Sequence, residues 1–145
     1  MNNLIAKNFS ELTTEELYEI LKSRAEIFLL EQGIVCQDMD DIDYESMHYF
    51  FTSEKRVIAY LRAFVSDKEN NIVKIGRVIT LEHKKGLGSE LMKKSTTDIK
   101  ERFNPSKISV HAQKQAAGFY EKMGFVPVSG EYLEEGIVHI TMELE

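Results

Sequence analysis

A glycine-bearing turn follows an apolar strand pattern and opens a helical one. It reads His83-Lys84-Lys85-Gly86-Leu87-Gly88-Ser89. Free backbone N–H groups at a helix start, the helix dipole and two adjacent lysines together suit an anion. Glycine at 86 and 88 removes side chains where a phosphate would approach the main chain. The turn is neither a Walker sequence nor a GxGxxG fingerprint, because residue 91 is leucine. It therefore predicts a diphosphate-binding turn, with a tight structural corner as the alternative.

A second group of chemically capable side chains follows a later strand pattern. Tyr120 is a phenol with a pKa of ~10, so it stays protonated when a thiolate of pKa ~8–9 requires a proton. Phe119 and Tyr120 also fit a reading as core aromatics of a short helix. His111, on the preceding strand, has an unperturbed pKa of ~6.5 that suits a general base, although a lone strand histidine is also typical of a structural residue.

Three arginines, Arg24, Arg62 and Arg77, lie in otherwise apolar segments, and an acidic connection follows the first helix. Buried arginine is costly unless it is paired, so we expect these side chains to meet carboxylates of that connection. The same carboxylates would alternatively attract a cationic amine. They are Asp38, Asp40, Asp41 and Asp43. Their spacing is not that of an EF-hand, and the scattered histidines predict no metal site.

The elements that position these residues follow in the order helix, three-strand meander, helix, strand, helix and two strands. A Thr13/Glu16 capping box begins the first helix, which we expect to end near Glu31. Further bounds are strands at 48–52, 57–65, 72–80, 107–112, 125–129 and 138–144, and helices from the glycine turn to Asn104 and over 113–123. This order predicts a mixed α/β layer with a mostly antiparallel sheet, helices on both faces and one strand-to-helix crossover at the glycine turn.

The bulk numbers predict one domain over residues 1–145. A net charge of −6 argues against non-specific nucleic-acid binding, which requires a basic face. Cys36 is the only cysteine, so a disulfide framework is excluded. No apolar run reaches the ~20 residues that a membrane span needs, and we expect a cytoplasmic protein without membrane association.

Two motifs, taken together, resemble the GNAT superfamily of N-acetyltransferases. The first is the glycine turn, which stands for Arg/Gln-x-x-Gly-x-Gly/Ala with His83 at the leading position. The second is Asn-x-x-Ala-x-x-Phe-Tyr-x-x-x-Gly-Phe, in which Gln113 replaces the Asn. Ala116, Phe119, Tyr120, Gly124 and Phe125 are in register with it. Within the superfamily the chain resembles the ElaA-like group. The residues that carry this are Arg24, Phe28, Glu31-Gln32, Gln37, Asp38, Asp40, Ile75 to Ile79, His111 to Gln113, and Gly136 to Ile140.

The resemblance implies the acyl-CoA N-acyltransferase fold and acetyl-CoA as the cofactor. Backbone N–H groups from Lys84 to Gly88 would hold the diphosphate, and Gln113 would contact the pantetheine or phosphate arm. The further cofactor contacts that the resemblance implies are His83, Ser89, Ala116 and Phe119. A main-chain N–H of Val78, Ile79 or Thr80 would polarise the thioester, and Tyr120 would protonate the departing thiolate. His111 is the candidate base, and Arg24, Asp38, Asp40 and His139 are the candidate substrate contacts.

The acceptor implied is a primary amine of a small molecule or a protein, and the oligomeric state stays open, a homodimer included. Two other readings remain. One is a non-catalytic CoA-binding module, which His83 at the leading position of the turn favours. The other is an acyltransferase of the acyl-homoserine lactone synthase type, which the Arg24 helix and the acidic connection favour.

Overall fold

The structure is a computed structural model that describes residues 2–81 and 86–145. Within these ranges eight strands form one sheet. Their bounds are β1 (Ile5–Asn8), β2 (Met47–Ser53), β3 (Arg56–Asp67), β4 (Ile72–Thr80), β5 (Lys107–Gln113), β6 (Val126–Pro127), β7 (Tyr132–Glu134) and β8 (Ile137–Leu144). The helices are α1 (Thr14–Ala25), α2 (Leu87–Phe103) and α3 (Ala117–Lys122). None of these helices is long and apolar enough to cross a membrane.

The sheet runs in the order β1-β2-β3-β4-β5-β8-β6, with β7 also paired to β8. Every neighbouring pair is antiparallel except β4 and β5, which α2 connects as a crossover. The parallel ladder has only four pairs, from Ile72↔Lys107 to Ile75↔Val110, and beyond them the two strands diverge. The predicted mixed, mostly antiparallel sheet and its single crossover are therefore confirmed.

Helices cover both faces of the sheet. On one face α1 buries Ile20 and the π-helical turn that follows buries Ile27, both against Phe50 and Tyr60. On the other face α2 and α3 pack on a larger apolar cluster. The predicted capping box begins α1: the Thr13 hydroxyl accepts the Glu16 N–H at 3.0 Å, and the Glu16 carboxylate accepts the Thr13 N–H at 2.9 Å. The apolar side of each helix is thus buried against the sheet, which places one helical layer on each of its faces.

Four local predictions need correction. The first helix continues to Glu31, but its last segment, Glu26–Glu31, is π-helical. The strand β5 includes Gln113, which pairs with His139, so α3 starts only at Ala117 after a 3₁₀ turn. The strand expected over 125–129 shrinks to two residues, because the Ser129 hydroxyl accepts the Thr141 N–H in place of the backbone. Short strands β1 and β7 were not predicted.

Candidate active site

A cleft of about 920 Å³ opens where β4 and β5 diverge. Its walls come from α1 and the acidic connection, from β4 and β5, from the starts of α2 and α3, and from the β7–β8 turn. Most of the predicted site residues line this one cleft: Arg24, Asp38, Asp40, Val78, Ile79, Thr80, Gly86, Gly88, Ser89, His111, Gln113, Ala116, Phe119, Tyr120 and His139. Residues remote in the sequence therefore converge at the gap in the sheet.

The glycine turn reaches the cleft at the start of α2. Gly86 has φ +96°, a conformation that side-chain-bearing residues avoid, whereas a Cβ on Gly88 would meet the Phe119 ring at an ordinary 3.6 Å. Of these two glycines, only Gly86 has a backbone conformation that requires glycine. Leu87 points its side chain into the apolar cluster rather than the cleft. The predicted contacts His83, Lys84 and Lys85 lie outside the described residues.

The strand β4 carries a bulge beside the gap. Gly76 pairs with Arg62 and Ile79 pairs with Tyr60, so Arg77 and Val78 together oppose the single residue between them on β3. Arg77 adopts φ 52°, an uncommon value for a residue other than glycine. Because pairing with β5 stops at Ile75, backbone groups of β4 that face β5 beyond this point have no partner strand among the described elements.

Tyr120 lies in the wall of the cleft formed by α3. Its side chain is 5% exposed, and its ring meets Phe119 and Phe125 edge-on with centroid separations of 5.2 and 5.5 Å. Burial raises the pKa of the phenol above its usual value, because the charged phenolate is poorly solvated there. Tyr120 therefore remains protonated throughout the neutral range.

His111 lies opposite a lysine and a glutamate that sequence reasoning missed. Its Nδ1 is 2.9 Å from the Glu134 carboxylate and 3.1 Å from Lys74 Nζ. Burial alone would raise the pKa of Glu134, but the hydrogen bond with His111 and the nearby positive charges lower it below its usual value. Lys74 sits inside an apolar strand pattern and Glu134 in what read as a loop, so neither belonged to a motif.

His139 approaches the same carboxylate from β8. Its Nδ1 is 2.7 Å from the Ile137 carbonyl, an acceptor, so Nδ1 carries the proton in the neutral ring. Its Nε2 is then a free acceptor, 3.8 Å from the Glu134 carboxylate. The Tyr132 ring stacks on it with a centroid separation of 6.1 Å. His111, His139 and Glu134 thus form one polar cluster at the cleft wall.

Arginines fix the acidic connection at the opposite wall. The fully buried Arg24 donates to Asp38 at 3.0 Å and to Asp43 at 2.7 Å, while Arg62 donates to Asp40 at 2.6 Å and to Asp43 at 3.0 Å. Arg77 pairs with Asp38 and Asp40 at 2.9 and 3.3 Å. The Arg62 hydrogen bond, with the charges of Arg62 and Arg77, lowers the pKa of Asp40 to about 2.

This network confirms the expectation that the three arginines meet carboxylates of the connection. It also neutralises much of the acidic charge that would attract a cation. The guanidinium N–H groups of Arg24 donate to Asp38 and Asp43, and this geometry supports a structural role for Arg24. The predicted substrate contacts of Arg24, Asp38 and Asp40 stay predictions.

Three glutamine side chains that line the cleft are joined by hydrogen bonds. The Gln113 side-chain amide donates to the Gln32 side-chain oxygen at 3.1 Å, and Gln115 donates to the Gln113 oxygen at 2.9 Å. Gln32 follows the π-helical turn and Gln113 ends β5, so the bridge joins two walls that are remote in the sequence. Gln113 is therefore held at the cleft wall by hydrogen bonds with Gln32 and Gln115.

The described residues hold no group of three or more histidine, cysteine, aspartate or glutamate side chains that could bind a metal ion. The cleft brings together a buried phenol, an imidazole beside a carboxylate, and backbone N–H groups of β4. This set is suited to moving protons and to polarising a carbonyl group.

Most of the chain matches a known protein family. Residues 37–145 match the acetyltransferase (GNAT) domain. The chain belongs to the GNAT acetyltransferase family. Protein ElaA of Escherichia coli is 34% identical over 140 residues, which cover 94% of this chain and 92% of ElaA. The recognition of the GNAT superfamily and of its ElaA-like group is therefore confirmed.

Solved structures agree with this GNAT assignment. The crystal structure of Escherichia coli ElaA matches with a TM-score of 0.92 and 32% identity, over 100% of both chains. An acyl-CoA N-acyltransferase from Pseudomonas aeruginosa matches with a TM-score of 0.91 and 30% identity, over 99% of both chains. A CoA-dependent acyl-homoserine lactone synthase, BjaI, solved with SAM and isopentyl-CoA, shares the fold at a TM-score of 0.74 and 16% identity, over 100% of this chain and 83% of BjaI. The predicted acyl-CoA N-acyltransferase fold, the acyltransferase activity and a cofactor of the coenzyme A type are confirmed for this GNAT chain.

Proposed function

We propose that this GNAT chain transfers the acetyl group of acetyl-CoA to a primary amine, with the donor lodged in the gap between β4 and β5. The observation that supports this most directly is the end of strand pairing at Ile75↔Val110, with the buried phenol of Tyr120 on the cleft wall beyond it. Acetyl-CoA, when bound, supplies the activated acyl group as a thioester. All other steps fall to side chains and backbone groups of this chain.

The donor half of the cleft would hold the diphosphate at the start of α2. This helix has 17 residues, its N-cap is Gly86, and no side chain of the N-cap residue bonds to its first N–H groups. A helix start of this length presents free N–H groups and a positive dipole end to an anion. Gly88, Ser89 and the Phe119 ring line the same part of the cleft. Gly86 to Ser89 would therefore bind the diphosphate.

The ladder of β4 narrows the choice of backbone donor for the thioester carbonyl. The Leu81 N–H donates to the Ile58 carbonyl on β3 at 2.8 Å. Backbone groups alternate sides along an antiparallel strand, so the Ile79 N–H also faces β3, whereas the Thr80 N–H faces the gap. Val78 lies in the bulge, where this alternation is interrupted, and it remains a candidate beside Thr80. Val78 or Thr80 is then the N–H that stabilises a negatively charged oxygen. One such donor is typically worth ~10²–10³ in rate.

Proton transfer would fall to Tyr120 and His111. Tyr120 is protonated at neutral pH and lines the cleft, and it would give this proton to the leaving thiolate. His111 would remove the proton from the amine, and Glu134 at 2.9 Å would stabilise the charged imidazole. The pairing of an imidazole with a carboxylate is a common arrangement for a general base. His139 lies near the same carboxylate and would contact the acceptor.

The test measures binding and turnover separately. A thermal melt with excess acetyl-CoA, with ATP and NAD as controls, tests binding, because a ligand at ~100 times its Kd adds ~2.7 kcal/mol. Release of CoA thiol with a panel of amines tests turnover. Tyr120→Phe should lower kcat ~10²-fold and leave the Kd of CoA unchanged, whereas Tyr18→Phe, at a 66%-exposed tyrosine, should change neither.

Two results would contradict the proposal. Full turnover by Tyr120→Phe would exclude the phenol as the acid. Selective binding of acetyl-CoA without thiol release with any amine class would favour the non-catalytic CoA-binding module instead.

A further inference from the structure

A half-buried lysine, Lys74, stands at the closed end of the gap, and the proposed transfer gives it no role. Lys74 lies on β4 opposite Ser109, one pair before the ladder ends at Ile75↔Val110. His111 is the first residue of β5 beyond that end. Lys74 and His111 both line the cleft. Their side chains therefore flank the point where the strands begin to separate.

Lys74 differs from the other cations of the described cleft lining. Arg24, Arg62 and Arg77 each have a carboxylate within 3.3 Å, whereas no carboxylate of the described residues lies within salt-bridge distance of Lys74. The partner of its amine is the imidazole of His111, with Nζ 3.1 Å from Nδ1. The same Nδ1 is 2.9 Å from the Glu134 carboxylate, so it donates to Glu134 when it carries a proton and accepts from Lys74 when it does not. The tautomer without a proton on Nδ1 is the one that places a base directly beside the amine.

The surroundings favour the neutral amine. Burial lowers the pKa of Lys74, and the positive charges of Arg62 and Arg77 lower it further, while Glu134 and Asp40 act in the opposite direction. The uncharged fraction of Lys74 at neutral pH is thus larger than that of an exposed lysine. Only an uncharged amine attacks a carbonyl group.

We propose that Lys74 is a self-acetylation site, so that the chain acylates its own cleft when no acceptor amine is present. This inference rests on the proposed function, because it uses the same donor. Lys74 Nζ bonds to the acetyl carbonyl carbon, and the carbon–sulfur bond of acetyl-CoA breaks. The amine proton passes to His111 Nδ1, and the CoA thiolate takes a proton from Tyr120. The products are Nε-acetyl-Lys74 and CoA.

The position of Glu134 fits this proton transfer. Its carboxylate is 2.9 Å from the same His111 Nδ1 that lies beside Lys74. When Nδ1 takes the proton from the amine, it becomes a donor and Glu134 becomes its acceptor. The acetylated side chain carries no charge and occupies the cleft wall beside His111, the proposed base. Self-acetylation would therefore limit transfer to external amines.

Intact-protein mass and peptide mapping test the inference. The full chain is incubated with deuterium-labelled acetyl-CoA at several protein concentrations, without an amine acceptor. We expect one acetyl group on Lys74, at least 10-fold ahead of labelling at Lys114, an exposed lysine paired with Glu131. The rate per molecule should not depend on protein concentration. His111→Asn should slow it ~100-fold, the usual scale of general-base catalysis.

Two matched variants and a parallel melt separate the outcomes. Lys74→Arg keeps the charge and should abolish the adduct, whereas Lys114→Arg should retain it. A thermal shift with unreactive CoA reports binding independently of acyl transfer. Binding of CoA without Lys74 labelling, or labelling of Lys74 no faster than Lys114, overturns the inference and leaves the proposed function standing. Absence of both binding and labelling overturns both.

Discussion

The buried carboxylate of Asp43 offers the sharpest test of the arginine network. Asp43 accepts from Arg24 at 2.7 and 3.3 Å and from Arg62 at 3.0 Å, and both arginine side chains are at most 4% exposed. Burial alone would raise the pKa of Asp43, but the hydrogen bonds and charges of the two arginines outweigh burial and lower it. Asp43→Asn keeps the shape, removes the charge, and turns one acceptor into a donor facing Arg24.

We expect this change to lower the free energy of unfolding by ~3–5 kcal/mol, the usual cost of removing one partner of a buried ion pair. Unfolding entropy of ~2.1 cal/mol/K per residue gives about 0.3 kcal/mol/K for this chain, so the loss corresponds to roughly 10–16 °C in Tm. Urea unfolding at 15 °C measures it while the variant is still folded. In this variant Arg24 still pairs with Asp38 and Arg62 with Asp40. Because these two carboxylates are 28% and 27% exposed, they offset the lost charge of Asp43 only in part.

Asp41→Asn is the matched control. Asp41 is exposed, with φ 66°, a conformation that asparagine tolerates, and its side chain makes no capping hydrogen bond. We expect its unfolding free energy to stay within ~0.5 kcal/mol of the parent chain. If Asp43→Asn also remained within ~1 kcal/mol, the network would not have the stabilising role that its burial implies.

Three further predictions concern pH, the turn and a remote hydrogen bond. The pKa of the Asp40 carboxyl is about 2 in the folded protein and ~3.9 in the unfolded chain. The stability that this carboxylate contributes is therefore present above pH ~4 and is lost as the pH falls towards 2. Urea unfolding should accordingly show a smaller difference in unfolding free energy between the parent and Asp40→Asn at pH 3 than at pH 5. Gly86→Ala should cost ~1–2 kcal/mol and reduce the thermal shift by acetyl-CoA, because φ is +96° there, whereas an unchanged melt would refute the left-handed turn. Tyr49→Phe removes a 2.6 Å hydrogen bond to Asp98 and should cost ~1.5–3 kcal/mol without affecting turnover, and a loss of kcat would link α2 to catalysis.

The sequence predicted those elements whose signals are local. The Thr13/Glu16 capping box begins α1 as expected, and Asn104-Pro105 ends α2. The strands β1 and β7 have four and three residues, too few for alternation to show. The π-helical turn at Glu26–Glu31 has no periodic signature distinct from the helix before it.

The candidate site likewise contains residues that local sequence signals predicted and residues that they did not. Motif spacing predicted Tyr120, and the suitability of histidine as a base predicted His111; both side chains line the cleft, and their catalytic roles stay predictions. Lys74 and Glu134 were missed, because their importance lies in distances of about 3 Å to His111 across strands remote in the sequence. Sheet register creates such contacts, and no single segment encodes register.

The four-pair ladder between β4 and β5 also governs how the sheet holds together. Strands β1 to β4 form one antiparallel block and β5 to β8 another, and this short ladder is the backbone junction between them. Hydrogen exchange should therefore find two cooperative units, with protection in β5 to β8 separable from that in β1 to β4. An occupant of the gap that bonds to both strands extends the junction, so donor binding should make the two blocks open as one.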